Sequence, residues 1–435
     1  MWFCGTFAAV RPRRRAAGIL AGTWFALALL PVSSQAAAAL TLEEAWRLAE
    51  AANPALRNVQ ARLSAAEGEL TDARSLLWNN PELSADRLRR SVPQPGLATE
   101  KQREWSAGLA QTFEIAGQQG YRREAAHQEL VGLQATLQET RRQVRAEIEQ
   151  RFVRVLALQL RIATEEEALK LVDNAAAAVR KRVAAGEDSR LDGNVALVEA
   201  ERGRNQLAAL QEQLTEARAE LASALQLAPD HLPEVAGELM PAIPRYTLEE
   251  LLAAARQRPQ LRALELREAA AASRLGLERA TVYPDVTVGI NVGREGPGDT
   301  REKLVGVTLS LPLPLFRRNA AGIGRATTEL TQAQIERQAT ERDVPAQVRA
   351  LWRNVESLRT RVKRLEDNVL TSLNQNQRLS ATSYRAGEIG LLQLIVVNRQ
   401  VLDGRRDLIE ARSDLRLTTI ALEAAAGWPP SGEAR

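Results

Sequence analysis

Thr41-Leu42-Glu43-Glu44, followed by Asn53-Pro54-Ala55-Leu56-Arg57, is written a second time as Thr247-Leu248-Glu249-Glu250, followed by Arg258-Pro259-Gln260-Leu261-Arg262. Two further landmarks repeat in the same order. Asn80-Pro81-Glu82-Leu83 is answered by Tyr283-Pro284-Asp285-Val286, and Ala184-Ala185-Gly186-Glu187 by Arg385-Ala386-Gly387-Glu388. The offset stays close to about 200 residues, so one long unit is copied in tandem. Solenoids and propellers repeat every ~20–50 residues, far less than this. Two copies of an elongated unit point to an architectural role. The first copy is expected over residues 37–228 and the second over 247–428. A proline-rich connector at 229–246 joins them, expected to run extended along the helical body, and a short tail follows at 429–435.

Most of each copy reads as long helix. Val344, Val348, Leu351, Val355, Leu358, Val362, Leu365 and Val369 alternate four and three apart, and Leu169, Val172, Ala176, Val179 and Val183 do the same in the first copy. Leu207, Leu210, Leu214, Ala217 and Leu221 continue the pattern in one downstream arm, as do Leu394, Val397 and Val401 in the other. This spacing makes a narrow apolar seam, as in coiled coils. Residues 118–182 contain no proline, and at ~1.5 Å per residue they would reach about 100 Å. The matching arm, 319–384, contains Pro345. A kink is expected there unless the proline opens a helix.

Four strands are expected between the helices, as a pair near 80–115 and a pair near 283–316. Val286, Val288, Ile290 and Val292 alternate with Asp285, Thr287, Gly289, Asn291 and Gly293. Val305, Val307, Leu309 and Leu311 alternate with Gly306, Thr308 and Ser310. Trp105, Ala107, Leu109 and Phe113 share a face opposite Ser106, Gly108, Ala110 and Thr112. Leu83–Arg90 is the fourth strand, its alternation dissolving into arginines. Pro93-Gln94-Pro95-Gly96 and Glu295-Gly296-Pro297-Gly298-Asp299 form polar loops between paired strands. One apolar and one small polar face suit either a half-buried soluble sheet or a membrane barrel with lipid outside and water inside. The signal for export and the very long flanking helices favour the barrel. Four strands cannot close a barrel alone, and open sheet edges cannot face lipid, so several copies must assemble.

That export signal is expected over residues 1–36. Arg11, Arg13, Arg14 and Arg15 precede the apolar run Ala16–Leu30, and small residues allow cleavage at Ala36. Losing it changes the electrostatics. The net charge of +4 equals those four arginines, and the segment has no acid, so the remainder is formally neutral. Interspersed charges without a basic stripe argue against nucleic acid as a partner. The single cysteine, Cys4, lies within the leader, while His127 and His231 are far apart and Met240 is isolated. No metal site, no cofactor and no enzymatic activity are therefore expected. Gly322-Ile323-Gly324 is too short a fragment to read as a phosphate loop.

The plan resembles the TolC-type outer-membrane efflux factors, particularly their cation-efflux, CzcC-like branch. The resemblance covers about Leu40 to Trp428. It rests on the duplication and on the order of Asn80-Pro81-Glu82-Leu83, Gln111-Thr112-Phe113-Glu114-Ile115-Ala116-Gly117-Gln118 and Leu311-Pro312-Leu313-Pro314-Leu315-Phe316. It implies a mainly α fold with a β-barrel portion. Each protomer of a homotrimer would give four transmembrane strands to one barrel, and its helices would continue as a tunnel. It also implies an outer-membrane location with the helical body in the periplasm. The implied function is a passive exit duct for metal cations or small toxic molecules, working with a periplasmic adaptor and an inner-membrane pump of the RND type. Val286, Val288, Ile290 and Val292 would then face outer-membrane lipid. Competing readings are a periplasmic coiled-coil adaptor without a barrel and the exit duct of a type I protein secretion system.

Gly186 and Gly387 stand where one long helix must turn into the next, because glycine accepts positive φ. The family uses this tip to dock an adaptor and to close the pore. On this chain it maps to Ala185, Gly186, Glu187 and Asp192, and to Ala386, Gly387, Glu388 and Gln393. TolC-like members commonly carry acids six and nine positions after the second glycine, where this chain has Gln393 and Val396. Asp192, six after Gly186, is either a helix cap or a gate residue.

Overall fold

The computed structural model describes residues 39–187, 189–240, 246–296 and 300–428. The expected leader and its Ala36 cleavage point, Pro241 and Pro244 of the connector, Pro297-Gly298-Asp299 and the 429–435 tail lie outside the described residues.

The duplicated Thr-Leu-Glu-Glu motif is a helix start. α1 (Leu42–Ala52) and α5 (Leu248–Arg256) each open with a capping box. Thr41 Oγ1 accepts from the Glu44 N–H at 3.3 Å and Thr247 Oγ1 from the Glu250 N–H at 3.2 Å. In return the glutamates accept from the Thr41 and Thr247 N–H groups at 3.0 and 2.7 Å. Each box satisfies two donors that a helix start leaves unpaired. The Asn-Pro and Arg-Pro motifs then start α2 (Pro54–Ala73) and α6 (Pro259–Ala280), with proline in the first turn, where its missing N–H costs nothing.

Each copy next sends out a hairpin. β1 (Glu82–Gln94) and β2 (Leu97–Phe113) join β3 (Val286–Glu295) and β4 (Glu302–Ser310) in one antiparallel sheet of order β1-β2-β3-β4. The arginine-rich end of β1 stays in the ladder to Gln94, so the first hairpin projects well past the second. Pro93 sits where the register shifts between Val92 and Gln94, on an edge strand that tolerates a missing donor.

From the sheet each copy returns as a very long helical hairpin. In the first, α3 (Gln118–Ala184) is an unbroken 67-residue helix, answered by α4 (Arg190–Ala224). In the second, α7 (Ala320–Arg364), a π turn at Leu365–Leu370 and α8 (Thr371–Arg385) form the outgoing arm, and α9 (Leu391–Ala426) returns. The helix runs through Pro345 instead of ending there. The freed carbonyl, four residues back on exposed Glu341, can meet water. A change of helix type comes twenty residues later, at the π turn, where Arg412 of α9 holds Glu366 at 2.7 Å.

The heptad seams form the core. Val155, Leu210 and Leu221 pack with α1 residues in one cluster, and Val348, Val355 and Leu422 with α5 residues in the other. Connector residues Val235 and Leu239 are buried in the first cluster. The chain start pairs with that connector, Leu40 N–H donating to the Glu234 carbonyl at 2.7 Å and Ala236 N–H to the Leu40 carbonyl at 3.0 Å.

The copies differ at one informative position. Asn53 caps α2 locally, accepting from the Ala55 N–H at 2.9 Å. Its counterpart Arg258 caps nothing on its own helix. It donates to Glu139 Oε1 of α3 at 2.6 and 3.1 Å and to the Ala425 carbonyl at the end of α9 at 3.1 Å. Both partners of this pair are buried, and burial also lowers the basicity of nearby Arg142. Arg258→Ala should therefore destabilise by about 3–5 kcal/mol, because buried Glu139 loses its ion-pair partner and keeps only the Gln143 amide at 3.1 Å and nearby Arg142. Arg258→Met with Glu139→Leu should recover most of the loss in thermal unfolding; an equally low melting point for both would refute that account.

Candidate functional site

Two regions of the chain carry the expected site residues: the sheet and the far turns of the helical hairpins. Strand pairing sorts the sheet into two faces. On one, Leu83, Leu109, Ile290 and Val307 stand side by side across all four strands, as do Ala85, Ala107, Val292 and Val305. Val288 and Leu309 extend this face toward the helices, and Val307 is 75% exposed. The other face carries Ser84, Gly108, Asn291 and Gly306 in one row and Thr112, Thr287 and Ser310 in another. Thr112 and Thr287 hydroxyls share a hydrogen bond at 2.9 Å. Gly108 leaves room for the Asn291 side chain, whose Oδ1 would lie 2.1 Å from a Cβ there and would have to move aside.

The strand-to-helix corners are rimmed by exposed aromatics: Trp78, Phe113, Tyr283 and Phe316, the last 96% exposed. The first corner is built by the Gln111–Gln118 run. Gly117 adopts positive φ, and buried Gln118 accepts from the Ala116 N–H at 2.8 Å while donating to Asp285 at 3.2 Å. Arg122 forks onto Glu114 at 2.7 and 2.9 Å and lies over the Trp78 ring at 3.8 Å. The second corner uses Asn319, also at positive φ, whose amide donates to the Glu278 carbonyl at 2.9 Å.

At the far end, both hairpins turn through the same Schellman geometry. Gly186 has φ 78° and Gly387 φ 75°. The Glu187 N–H reaches the Arg182 carbonyl at 2.8 Å and the Glu388 N–H the Ser383 carbonyl at 2.9 Å. Ala185, Glu187, Ala386, Glu388 and Gln393 are exposed. Asp192 is half-buried in the cap of α4: its N–H donates to Ser189 Oγ at 3.1 Å, and its Oδ2 accepts from that hydroxyl at 2.6 Å. Gly390, at the corresponding start of α9, supplies no side-chain cap.

The structure brings the two turns together. Tyr384 and Ile395 pack on Ala176, Val179 and Ala196, and Arg182 donates to the Tyr384 hydroxyl at 3.4 Å. Above them a polar ladder links the hairpins: Arg399 to Glu199 at 4.0 Å, Arg405 to Glu167 at 3.6 Å and Arg406 to nearly inaccessible Glu165. The sequence reading missed this ladder, because its partners lie about 200–240 residues apart. Its signal was the arginines and glutamates flanking the apolar seams. No helix among the described residues is long and apolar enough to cross a membrane.

A profile of the outer membrane efflux protein family matches residues 45–226 and 251–428. The chain belongs to that family. The two matched blocks fall on the two copies, and the outer membrane efflux protein is thus a membrane channel with its helical body on the periplasmic side. It is 29% identical over 381 residues to the cobalt-zinc-cadmium resistance protein CzcC of Cupriavidus metallidurans, covering 87% of this chain and 86% of that protein. It is 27% identical to the nickel-cobalt-cadmium resistance protein NccC of Alcaligenes xylosoxydans xylosoxydans, over 68% of each chain. In structure it is similar to the Campylobacter jejuni CmeC outer membrane channel, with TM-score 0.76 and 13% identity over 90% of this chain and 87% of that one.

Neither tip glycine is crowded, since a Cβ at Gly186 or Gly387 would meet no atom within 4 Å. Conformation alone demands glycine there. Gly186→Asn and Gly387→Asn should be nearly neutral, whereas Gly→Val at either site should cost about 1–2 kcal/mol or more through the left-handed penalty. Comparing the melting of the four variants checks this; equal tolerance of Asn and Val would overturn it.

Proposed function

We propose that this efflux protein works as a homotrimer, three four-stranded sheets closing one twelve-stranded barrel, and that it passes metal cations outward as a passive duct. The observation that carries the assembly is the open sheet. β1 and β4 are both edges, and one face between them is a continuous exposed apolar surface. In lipid an unpaired edge leaves backbone donors and acceptors unsatisfied, so β4 of one copy must pair with β1 of the next. Val286, Val288, Ile290 and Val292 then face lipid, and the Ser84–Gly108–Asn291–Gly306 row faces a wet lumen.

The cation assignment is supported by relatives named for cobalt, zinc, cadmium and nickel resistance. Cargo would be delivered by an inner-membrane pump of the RND type through a periplasmic adaptor. The adaptor would dock at the exposed turns around Ala185–Glu187 and Ala386–Glu388, with Asp192 and Gln393 near the aperture. In a host made metal-sensitive by loss of this gene, the wild type should restore cobalt, zinc or cadmium tolerance. Restoration of protein secretion in place of tolerance would instead make the chain a secretion duct.

Two measurements test the assembly. In detergent, light scattering should give three protomers, and a well-folded monomer would sink the trimer. In membrane insertion, Val288→Arg should be worse than Thr287→Arg by about 2–4 kcal/mol if the site is near the midplane. Equal tolerance of the two would reject the assigned faces.

A further inference from the structure

The lipid-side face does not end in neutral residues. One register step beyond the Ala85–Ala107–Val292–Val305 row on that face stand Arg87, Trp105, Arg294 and Lys303. The next step on the projecting hairpin pairs Arg89 with Arg103, and the one after pairs Ser91 with Lys101. All six cations are exposed. None makes an ion pair with another described residue. The described acids of this end lie on the opposite face: Asp86, Glu100, Glu104, Glu295 and Glu302 alternate with the cations along their strands. The one arginine on that face, Arg90, is already held by Glu104 at 3.6 Å. Strand parity has sorted the charge by sign.

Such sorting is unfavourable by itself. Arg294 lies directly opposite Lys303, and Arg89 directly opposite Arg103. Like charges facing each other across a ladder repel, and among the described residues no acid pairs with them. A polyanion bridging neighbouring cations removes that repulsion. Depth identifies its source. The Phe113–Val286 and Trp105–Arg294 pairs are separated by about 27 Å of strand. At a tilt of ~40° that is roughly 20 Å of height, comparable to the ~25 Å apolar band of such barrels. The helices mark the periplasmic end, so Trp105 and its cations sit at the outer headgroup level, where interfacial aromatics collect.

We propose that this basic band binds the phosphate groups of an outer-leaflet phosphoglycolipid, with Arg294–Lys303 and Arg89–Arg103 as two cation pairs that clamp them. Guanidinium groups fork onto phosphate oxygens, and the acidic inner face at the same level keeps that lipid on the outer wall. The inference rests on the lipid-facing assignment proposed above.

The test titrates the intact trimer in detergent with lipid A carrying two phosphates, and with the same lipid dephosphorylated, read by native mass spectrometry. Wild type should bind the phosphorylated form, and R89Q/R103Q/R294Q/K303Q should bind it about tenfold or more weakly. Dephosphorylated lipid should bind both proteins equally weakly. E295Q/E302Q, on the inner face, should leave lipid binding unchanged. If the quadruple variant does not assemble, R294Q/K303Q alone should still weaken binding. Phosphate-independent binding, or binding untouched by the cation substitutions, would overturn the proposal. Competition by millimolar inorganic phosphate without any need for acyl chains would replace the lipid by a free anion and also overturn it. Should only the inner-face variant lose lipid, and Val288→Arg be tolerated, the face assignment itself is reversed.

Discussion

A sheet of four strands has two edges, and in hydrocarbon no solvent is present to satisfy them. The exposed backbone of β1 and β4 is therefore the constraint to which the rest of this molecule answers. Two hairpins come from a duplicated unit, and their pairing through β2 and β3 joins the copies into one sheet. Register carries the consequence further. Side chains alternate faces, so a slip of one residue between β2 and β3 would set Ile290 against the Gly108 row and break both surfaces.

The helical body solves a different problem, that of keeping long rods in register over a great length. Apolar seams supply most of the burial, but a heptad seam can slide by a turn with little loss. The paired charges between hairpins fix the axial position. Glu149 illustrates the balance: burial raises its carboxyl above the usual range, and Arg416 opposes that shift by pairing with it. Glu165 with Arg406 and Glu139 with Arg258 repeat the device at other heights. Such pairs add little net stability, since desolvation offsets their attraction, but misplacing one partner is costly.

Duplication did not preserve symmetry in detail. The capping boxes at Thr41 and Thr247 are kept, as are both Schellman turns. Elsewhere the same place is solved by different residues. Gly117 and Asn319 both open a long helix in the left-handed region, and Asn53 and Arg258 both precede a helical proline but face different partners. Only the second outgoing arm carries a π turn. In the trimer proposed above, such divergence would leave the ring of copies threefold and not sixfold.

The sequence alone determined what depends on local pattern. Caps at Thr41 and Thr247, the heptad seams, the period-two strands and the positive-φ turns at Gly186 and Gly387 all follow from residue spacing and backbone sterics. Those signals were enough to place the fold. Pro345 shows the limit: local rules allowed it to open a helix, yet it lies inside α7, and a π turn that no spacing announced follows at 365–370. Tertiary structure decided what links residues far apart in the chain. The Arg182–Tyr384 contact, the Glu165–Arg406 pair and the sorting of cations and acids onto opposite faces of one sheet join partners that no short window of sequence contains. Their energies depend on distance and burial, and those quantities exist only once the two copies have packed together.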